Sequence, residues 1–339
     1  MALGQLSGIG EMLPNPYLLI RPFLRREAVS SSRIEGTQAS LSDLFFFEAA
    51  TPVTPDVPDV VEVYNYVRAL EHALKRLAEL PLSLRLIREV HGILMENVRG
   101  SESTPGEFRR AQNWIGPPGS SLQDATYVPP PVDEMKAALS AWEKHLHAPK
   151  DIPLLVELAL LHYQFEAIHP FADGNGRVGR LFIPLLLCER AVLTEPLLYL
   201  SSFFEQHRDD YYRLLLGVSR DGAWTEWVRF FLNGVRLAAK DATRRAQRLQ
   251  ELQADYRRRL QKARSSALIT RLLDMLFELP TITVPYVAKA LDVTYRSAQN
   301  NVKKLIDAEI LEEITGQDRN RIYRATEILR VLEQRVAGE

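Results

Sequence analysis

Apolar residues recur three and four positions apart through most of the chain, and strand-like alternation is scarce. A stripe of that period buries itself only against another element, so the chain reads as mainly α, a body of packed helices. The clearest stripe runs from Val61 to Leu80, with Val63, Tyr66, Val67, Leu70, Ala73, Leu74 and Leu77 on one face. Ser83 is placed to cap the next helix, which carries Leu86, Ile87, Val90, Ile93 and Leu94. Gly100 to Pro131 is different, rich in Gly, Pro and Ser and long for a connection, which marks functional or disordered loops. Helices resume at about Val132 and continue to roughly Lys240. No internal repeat is present.

At 339 residues, with 46% hydrophobic and 25% charged residues, the chain has material for about two domains. Thr51 to Pro58 (TPVTPDVP) reads as a Pro-rich linker or turn. Asp241 to Arg264 reads as a charged helical connector, with eight Lys/Arg against three Asp/Glu. The expected layout is therefore an N-terminal segment 1–60, a core 61–240, a connector 241–264 and a second domain 265–339. A net charge of -1 excludes a global basic field for nucleic acid, though not a local patch. The single cysteine, Cys188, excludes internal disulfides and CxxC metal clusters. Met1 to Pro16 lacks a basic start and a signal-like apolar core, and runs such as Leu181 to Cys188 are far short of a ~20-residue span. The expectation is a cytoplasmic protein with no membrane contact.

The chemistry concentrates in His169-Pro170-Phe171-Ala172-Asp173-Gly174-Asn175-Gly176-Arg177-Val178-Gly179-Arg180. A long apolar helix, Leu154 to Ile168, precedes it, and another follows from about Arg177 through Cys188. Gly174 and Gly176 flank Asn175, so the backbone there can approach a ligand closely. Loop amides and the dipole of the next helix make an anion site. Arg177 and Arg180, three apart, share a helix face and suit an oligophosphate. Asp173 offers a hard oxygen to Mg²⁺, and His169 titrates near neutrality beside the cradle. Gly174, Gly176 and Gly179 also fit G-x-G-x-x-G, but a helix precedes them where a dinucleotide fold needs a strand.

The segment resembles the signature of the Fic family, H-x-F-x-[D/E]-G-N-G-R-x-x-R, at all eight of its defined positions. The resemblance implies a Fic-type helical core and transfer of AMP from ATP to a Ser, Thr or Tyr hydroxyl on a protein target, itself included. Carried over, His169 deprotonates the target hydroxyl, Phe171 anchors the loop, and Asp173 holds Mg²⁺. Asn175 and Arg177 bind the α- and β-phosphates, Arg180 binds the γ-phosphate, and Gly174 and Gly176 leave room for them. Val178 and Gly179 fall within the same ATP-binding run. Glycine rather than lysine at Gly176 argues for nucleotidyl transfer over phosphoryl transfer.

Ser31-Ser32-Arg33-Ile34-Glu35-Gly36 resembles the family's inhibitory motif, [S/T]-x-x-x-E-[G/N], with Ser31 and Glu35 at its defined positions. That likeness implies a bidentate Glu35–Arg180 pair competing with the γ-phosphate, and a second activity, removal of AMP through Glu35. Ser120 to Pro131, with Ala125, Thr126, Tyr127 and Val128, resembles the hairpin flap that docks target segments by main-chain pairing. Phe204 to Tyr212 looks Fic-like as well, and Tyr212, then Tyr211, are the adenine-side residues it suggests, with a core role open for either. His162 reads as a packed core histidine.

Beyond the core, Ile282 to Ala290 reads as a helix, Leu291 to Thr294 as a turn, and Tyr295 to Ala308 as a second helix capped by Thr294. Ile310 to Thr315 and Arg321 to Ala325 alternate like two strands. The order resembles a winged helix-turn-helix domain, with Tyr295, Arg296, Gln299, Asn300, Lys303 and Lys304 placed to face DNA. Ten Lys/Arg against eleven Asp/Glu in Ser265 to Glu339 weigh against that partner. An autoinhibited, Mg²⁺-dependent protein adenylyltransferase is thus the expected activity. A nucleotide-sensing DNA-binding regulator is the alternative, and a homodimer stays open.

Overall fold

The computed structural model describes residues 2–12, 17–49, 58–98, 104–117, 119–149, 151–261 and 267–334. Among them no helix is long and apolar enough to cross a membrane. Three helices open the chain: α1 (Ala2–Met12), α2 (Tyr17–Ile34) and α3 (Leu41–Ala49). The Val61 stripe lies on α4, which starts at Pro58 and ends at Arg76. The rest of the Thr51 to Pro58 linker reading falls outside the described residues. Ser83 caps α5 (Leu84–Leu94), its hydroxyl accepting the Leu86 amide at 3.4 Å. After the long loop come α6 (Val132–His147) and α7 (Leu154–Ile168).

Helix α7 is apolar on nearly every side, and Leu158, Ala159, Leu161, His162, Phe165 and Ile168 are all buried. A helix without a polar face must lie inside the body. Two indoles tie it there: Trp142 of α6 donates to the Leu161 carbonyl at 3.1 Å, and Trp227 donates to the Ala159 carbonyl at 2.9 Å. Against α7 packs α8 (Asn175–Glu189), which begins two residues before the expected Arg177 because Gly174 already turns the chain. Helices α9 (Ser201–Gln206) and α10 (Arg208–Asp221) then close the core.

The expected connector is not a separate helix. Asp241 lies in the middle of α11, one helix from Trp224 to Gln261. Charge changes along it without any break in helical period, so composition marks a boundary that the backbone does not make. Next come α12 (Ala267–Glu278), β1 (Thr281–Thr283), α13 (Val284–Leu291), α14 (Tyr295–Asp307), β2 (Glu312–Glu313), β3 (Ile322–Arg324) and α15 (Thr326–Glu333). Thr294 caps α14 as expected, its hydroxyl accepting the Ser297 amide at 3.2 Å. Thr281 to Thr283, by contrast, is a strand, so the helix expected from Ile282 starts at Val284 with Thr283 as its cap. The strand forms because β3, far along the chain, supplies a partner, giving an antiparallel sheet of order β1-β3-β2. This C-terminal unit is fastened to the core. Glu278 pairs with Arg21 of α2 at 2.9 Å, and Arg259 of α11 pairs with Glu327 at 3.0 Å.

Candidate active site

The turn from α7 into α8 is built by two residues with positive φ. His169 ends α7 in the left-handed region at φ 49°, and Gly174 opens α8 at φ 77°. A side chain at Gly174 would be strained and would press on the Met95 sulfur. Phe171 is fully buried and stacks on His91 with centroids 3.8 Å apart. His91 Nδ1 accepts the Gly106 amide at 2.8 Å, so Nε2 carries the proton and donates to the Asp173 carbonyl at 3.0 Å. Burial pushes this histidine down to about 4, which keeps it neutral.

Several groups that sequence reasoning missed hold the loop. Buried Arg109 donates to the His169 carbonyl at 3.0 Å and to the Pro130 carbonyl at 2.5 Å, tying the flap base to the turn. Asn113 donates to the Phe171 carbonyl at 2.9 Å. Glu62 of α4 lies 3.4 Å from Arg177. Arg109 and Asn113 sit in the Gly- and Pro-rich stretch, where no periodicity assigns a face.

His169 Nδ1 faces the Glu166 carbonyl at 3.2 Å. A carbonyl only accepts, so Nδ1 donates and Nε2 carries the lone pair. Burial, with Arg109 adding to it, pushes His169 down to about 4, against the pull of Glu35 and Asp173. Glu166 itself is pushed up to about 7 by burial, with Glu35 adding to it against the pull of Arg180.

Arg180 is buried at 1% exposure. Its Nε donates to the Ser31 hydroxyl at 2.9 Å, and its Nη2 to the Ser31 carbonyl at 3.0 Å and Glu35 Oε1 at 2.6 Å. The expected bidentate pair is single-pronged: Glu35 bonds Nη2 alone, while Ser31 holds Nε and shares Nη2. Burial would raise the Glu35 carboxyl, yet Arg180, with Arg177 and His169 behind it, holds it below the usual carboxylate range. Burial would likewise lower Arg180, and Glu35 holds it above the usual value.

The run expected to bind ATP divides by helical phase. Arg177 faces the site, between Glu62 and Asp173, with its buried Nε unpartnered. Gly176 leaves room there: a Cβ would stand 2.4 Å from Glu35 Oε1 and 2.8 Å from Arg180. Asn175 does not offer its side chain to a phosphate. Its amide closes the loop, accepting the Phe171 amide at 2.8 Å and donating to the Phe171 carbonyl at 2.9 Å. Val178 points the other way, buried among Leu82, Leu86 and Val90. Gly179 faces α7, where a Cβ would meet the Glu166 carboxylate, and its carbonyl bonds His162 Nδ1 at 3.0 Å. The side chains of Asn175 and Val178, and the Cα face of Gly179, are thus turned to the loop, to α5 and to α7. The first-turn amides of α8 have no carbonyl of their own helix to bond, which leaves them for an anion.

Tyr211 is likewise corrected. It is buried, stacked on Phe204 at 4.5 Å, and its hydroxyl bonds His162 Nε2 at 2.9 Å, so it cannot meet an adenine. Tyr212 is 40% exposed, with the Arg208 guanidinium 5.7 Å over its ring. His162, wholly buried and pushed down to about 3 by burial, is a core residue. In the flap, Ile115 pairs with Tyr127, exchanging bonds at 2.9 and 3.1 Å, and Thr126 donates to the Ile115 carbonyl at 2.8 Å. The Tyr127 hydroxyl donates to the Ala167 carbonyl, two residues before His169, at 2.9 Å. Val128, Trp114, Ile115 and Leu122 are exposed there, while Ala125 is half-buried.

Among the described residues no group of three or more His, Cys, Asp and Glu side chains is arranged to hold a metal. Asp173 stands with its carboxylate half exposed beside the α8 amides. Mg²⁺ commonly takes one or two carboxylates plus substrate phosphates, so Asp173 fits an ion that arrives with a nucleotide.

Residues 1–75 match the family model described as Fic/DOC family N-terminal, and residues 81–187 match that of the Fic/DOC family, together more than half of the chain. Among curated proteins, the chain is 29% identical over 178 residues to protein adenylyltransferase Fic of Culex quinquefasciatus, covering 50% of this chain and 32% of that protein. The Aedes aegypti protein of the same name matches to the same extent. The chain thus spans about a third of the length of these relatives. Among solved structures, a Fic family protein from Desulfovibrio desulfuricans G20 aligns with TM-score 0.59 at 20% identity, covering 96% of this chain and 93% of that one. Fic-1 from C. elegans, residues 134–508, aligns with TM-score 0.53 at 20% identity over 74% of this chain and 72% of that one.

Proposed function

We propose that this chain, which belongs to the Fic/DOC family, transfers AMP from ATP to a Ser, Thr or Tyr hydroxyl on a protein, itself included, and releases pyrophosphate. The observation that carries this reading is the convergence of His169, the first-turn amides of α8, Arg177 and Arg180 at one helix end. In this mechanism the target hydroxyl gives its proton to His169 Nε2 while its oxygen bonds the α-phosphorus. The bond from that phosphorus to the bridging oxygen breaks, and pyrophosphate leaves. Arg177, Arg180 and the amides hold the phosphates in line. Asp173 would hold Mg²⁺, which neutralises phosphate charge when bound. The exposed Val128 of the flap presents main chain to the target segment, and the neighbouring Ile115 side chain adds apolar surface. The test is protein labelling from ATP carrying the label at either the α- or the γ-phosphate. Transfer from the α position alone supports the reading, and transfer from the γ position alone replaces it with a kinase.

In the same reading Glu35 is a brake: it occupies Arg180, the group the γ-phosphate needs, so the chain rests autoinhibited. Glu35 has a second role, activating the water that removes AMP from modified protein. Tyr212 stacks the adenine. Its replacement by Ala removes one base–aromatic contact, about 1–3 kcal/mol. KM for ATP should rise several-fold or more with kcat little changed, measured by initial labelling rates. An unchanged KM assigns the adenine elsewhere. The reaction belongs to a reducing compartment, the cytoplasm.

One observation favours a second reading, a nucleotide-sensing DNA-binding regulator with a winged-helix C-terminal unit. The structure sorts the balanced charges of 265–339. Glu278, Asp274 and Glu327 pair with Arg21 of α2 and with Arg257 and Arg259 of α11. Tyr295, Arg296, Gln299, Asn300 and Lys303 of α14 face solvent, with Lys304 half-buried. Fluorescence anisotropy with duplex DNA checks it: Arg296→Ala and Lys303→Ala should each flatten the log–log salt slope by about 1. No anisotropy change at low salt removes this reading.

A further inference from the structure

Helix α2 presents two different stripes to two different neighbours. Glu27 and Ser31, and Glu35 one residue past the helix end, lie four residues apart on one side: Ser31 and Glu35 hold Arg180, and Glu27 accepts the Ser201 amide at 3.1 Å. Arg26, Ser30 and Arg33 stand at i, i+4 and i+7 on the adjacent stripe. They line an open-mouthed cavity of about 460 Å³, flanked by the start of α3, by α9 and by the end of α15. Its volume is that of a small-molecule site.

The chemistry of the cavity is polar and uneven. At one end Arg26 reaches Asp241 at 3.1 Å, but Arg245 takes the same carboxylate at 2.8 Å. Two guanidiniums thus share one carboxylate. Burial and the nearby Arg245 both weaken the charged form of Arg26, pushing it below the usual value. The Ser30 and Ser202 hydroxyls bond each other at 3.0 Å across the cavity wall. At the other end Arg33 lies 3.8 Å from Glu205, and Glu333 joins the lining.

We propose that this cavity is an effector site for a small metabolite bearing an anionic group, bound between Arg26 and Arg33 and the two serine hydroxyls, with a hydroxyl or amine of the ligand turned to Glu205 and Glu333. The site is wired to the brake by adjacency. Ser30 lies in the cavity and Ser31 holds Arg180. Ser202 lies in the cavity and Ser201 is bonded to Glu27 of the same helix. An anion that separates Ser30 from Ser202 displaces the last turn of α2, and with it Ser31 and Glu35. Leu332 and Glu333 of α15 complete the wall, so the C-terminal unit takes part in the site. The regulatory half of this proposal rests on the AMP-transfer reading; the binding half does not.

The probe is labelled inorganic phosphate in equilibrium dialysis with the full chain. Arg177→Gln serves as background, because it silences the anion cradle of α8. Saturable binding should survive in that background and be lost when Arg33→Gln or Arg26→Gln is added. Arg33 is about a third exposed, so its variant tests the site even where the Arg26 variant does not fold. Saturation by acetate as well extends the class to carboxylates, and by phosphate alone restricts it to phosphate esters. No saturable binding in the Arg177→Gln chain, or binding indifferent to Arg33, overturns the site. For the regulatory half, phosphate at constant ionic strength should raise AMP labelling by the native chain about fivefold or more, and leave Glu35→Gly unchanged. Binding without that rise overturns the coupling. A Glu35→Gly chain that labels nothing overturns the AMP-transfer reading instead, and dialysis still decides the site.

Discussion

Glu35→Gly is expected to raise the transfer of α-phosphate label into protein by roughly ten- to a hundredfold over the native chain. The carboxylate makes one short, charge-assisted bond to Arg180 at 2.6 Å. Bonds of that kind contribute about 1.5–3 kcal/mol, which a γ-phosphate must otherwise displace to reach the guanidinium. The replacement leaves Arg180 held by the Ser31 hydroxyl and carbonyl, so the arginine stays in place and only its anion is removed. The gain should appear mainly as a lower KM for ATP. Equal labelling by the two chains would mean that the pair is structural and does not compete with nucleotide.

The second large effect is its reversal. Adding His169→Ala to Glu35→Gly should cut labelling by about 10²–10⁴-fold, the usual contribution of a positioned base. The mutation removes the lone pair on Nε2 but leaves the carbonyl that Arg109 and Asn113 grip, so the loop keeps its shape. ATP affinity should therefore survive, measurable by dialysis of the double variant. The pH dependence carries a further check. A base works in its neutral form, and burial, with help from Arg109, has pushed His169 down to about 4. The acid limb of the Glu35→Gly rate should then lie well below the range, around pH 6.5, where a solvent-like histidine loses activity. An acid limb centred near 6.5 would show that His169 titrates as an exposed ring.

The site was legible wherever its logic was local. The span of α7 came from its unbroken apolar run, and the cap on α5 from one serine before a stripe. Within 174–180 the sequence treats the residues as one run, and the structure turns their side chains in different directions. Asn175, Val178 and Gly179 share the run with Arg177 and Arg180, but each points to a different neighbour. Spacing places side chains around a helix without saying what stands on each side, and only α4, α5, α7 and the loop supply that. Tyr211 and Tyr212 make the same point: adjacent and alike, they are told apart only by the packing of Phe204 and His162 around the first.

What the sequence determined by itself was helical class, the positions of most turns, and a Gly-rich turn beside a histidine at the start of α8. These follow from side-chain period, from capping residues and from glycines that tolerate positive φ, all properties of neighbours in the chain. The tertiary structure alone decided the partners of the buried charges. Arg180 meets Glu35 across 145 residues and Ser31 across 149, and Arg177 meets Glu62 across 115. It also decided that α12 and α15 lean on α2, the helix whose C-terminal end leads into Glu35. A buried guanidinium must find its anion somewhere, but which anion depends on how helices far apart in sequence pack, and no local pattern encodes that.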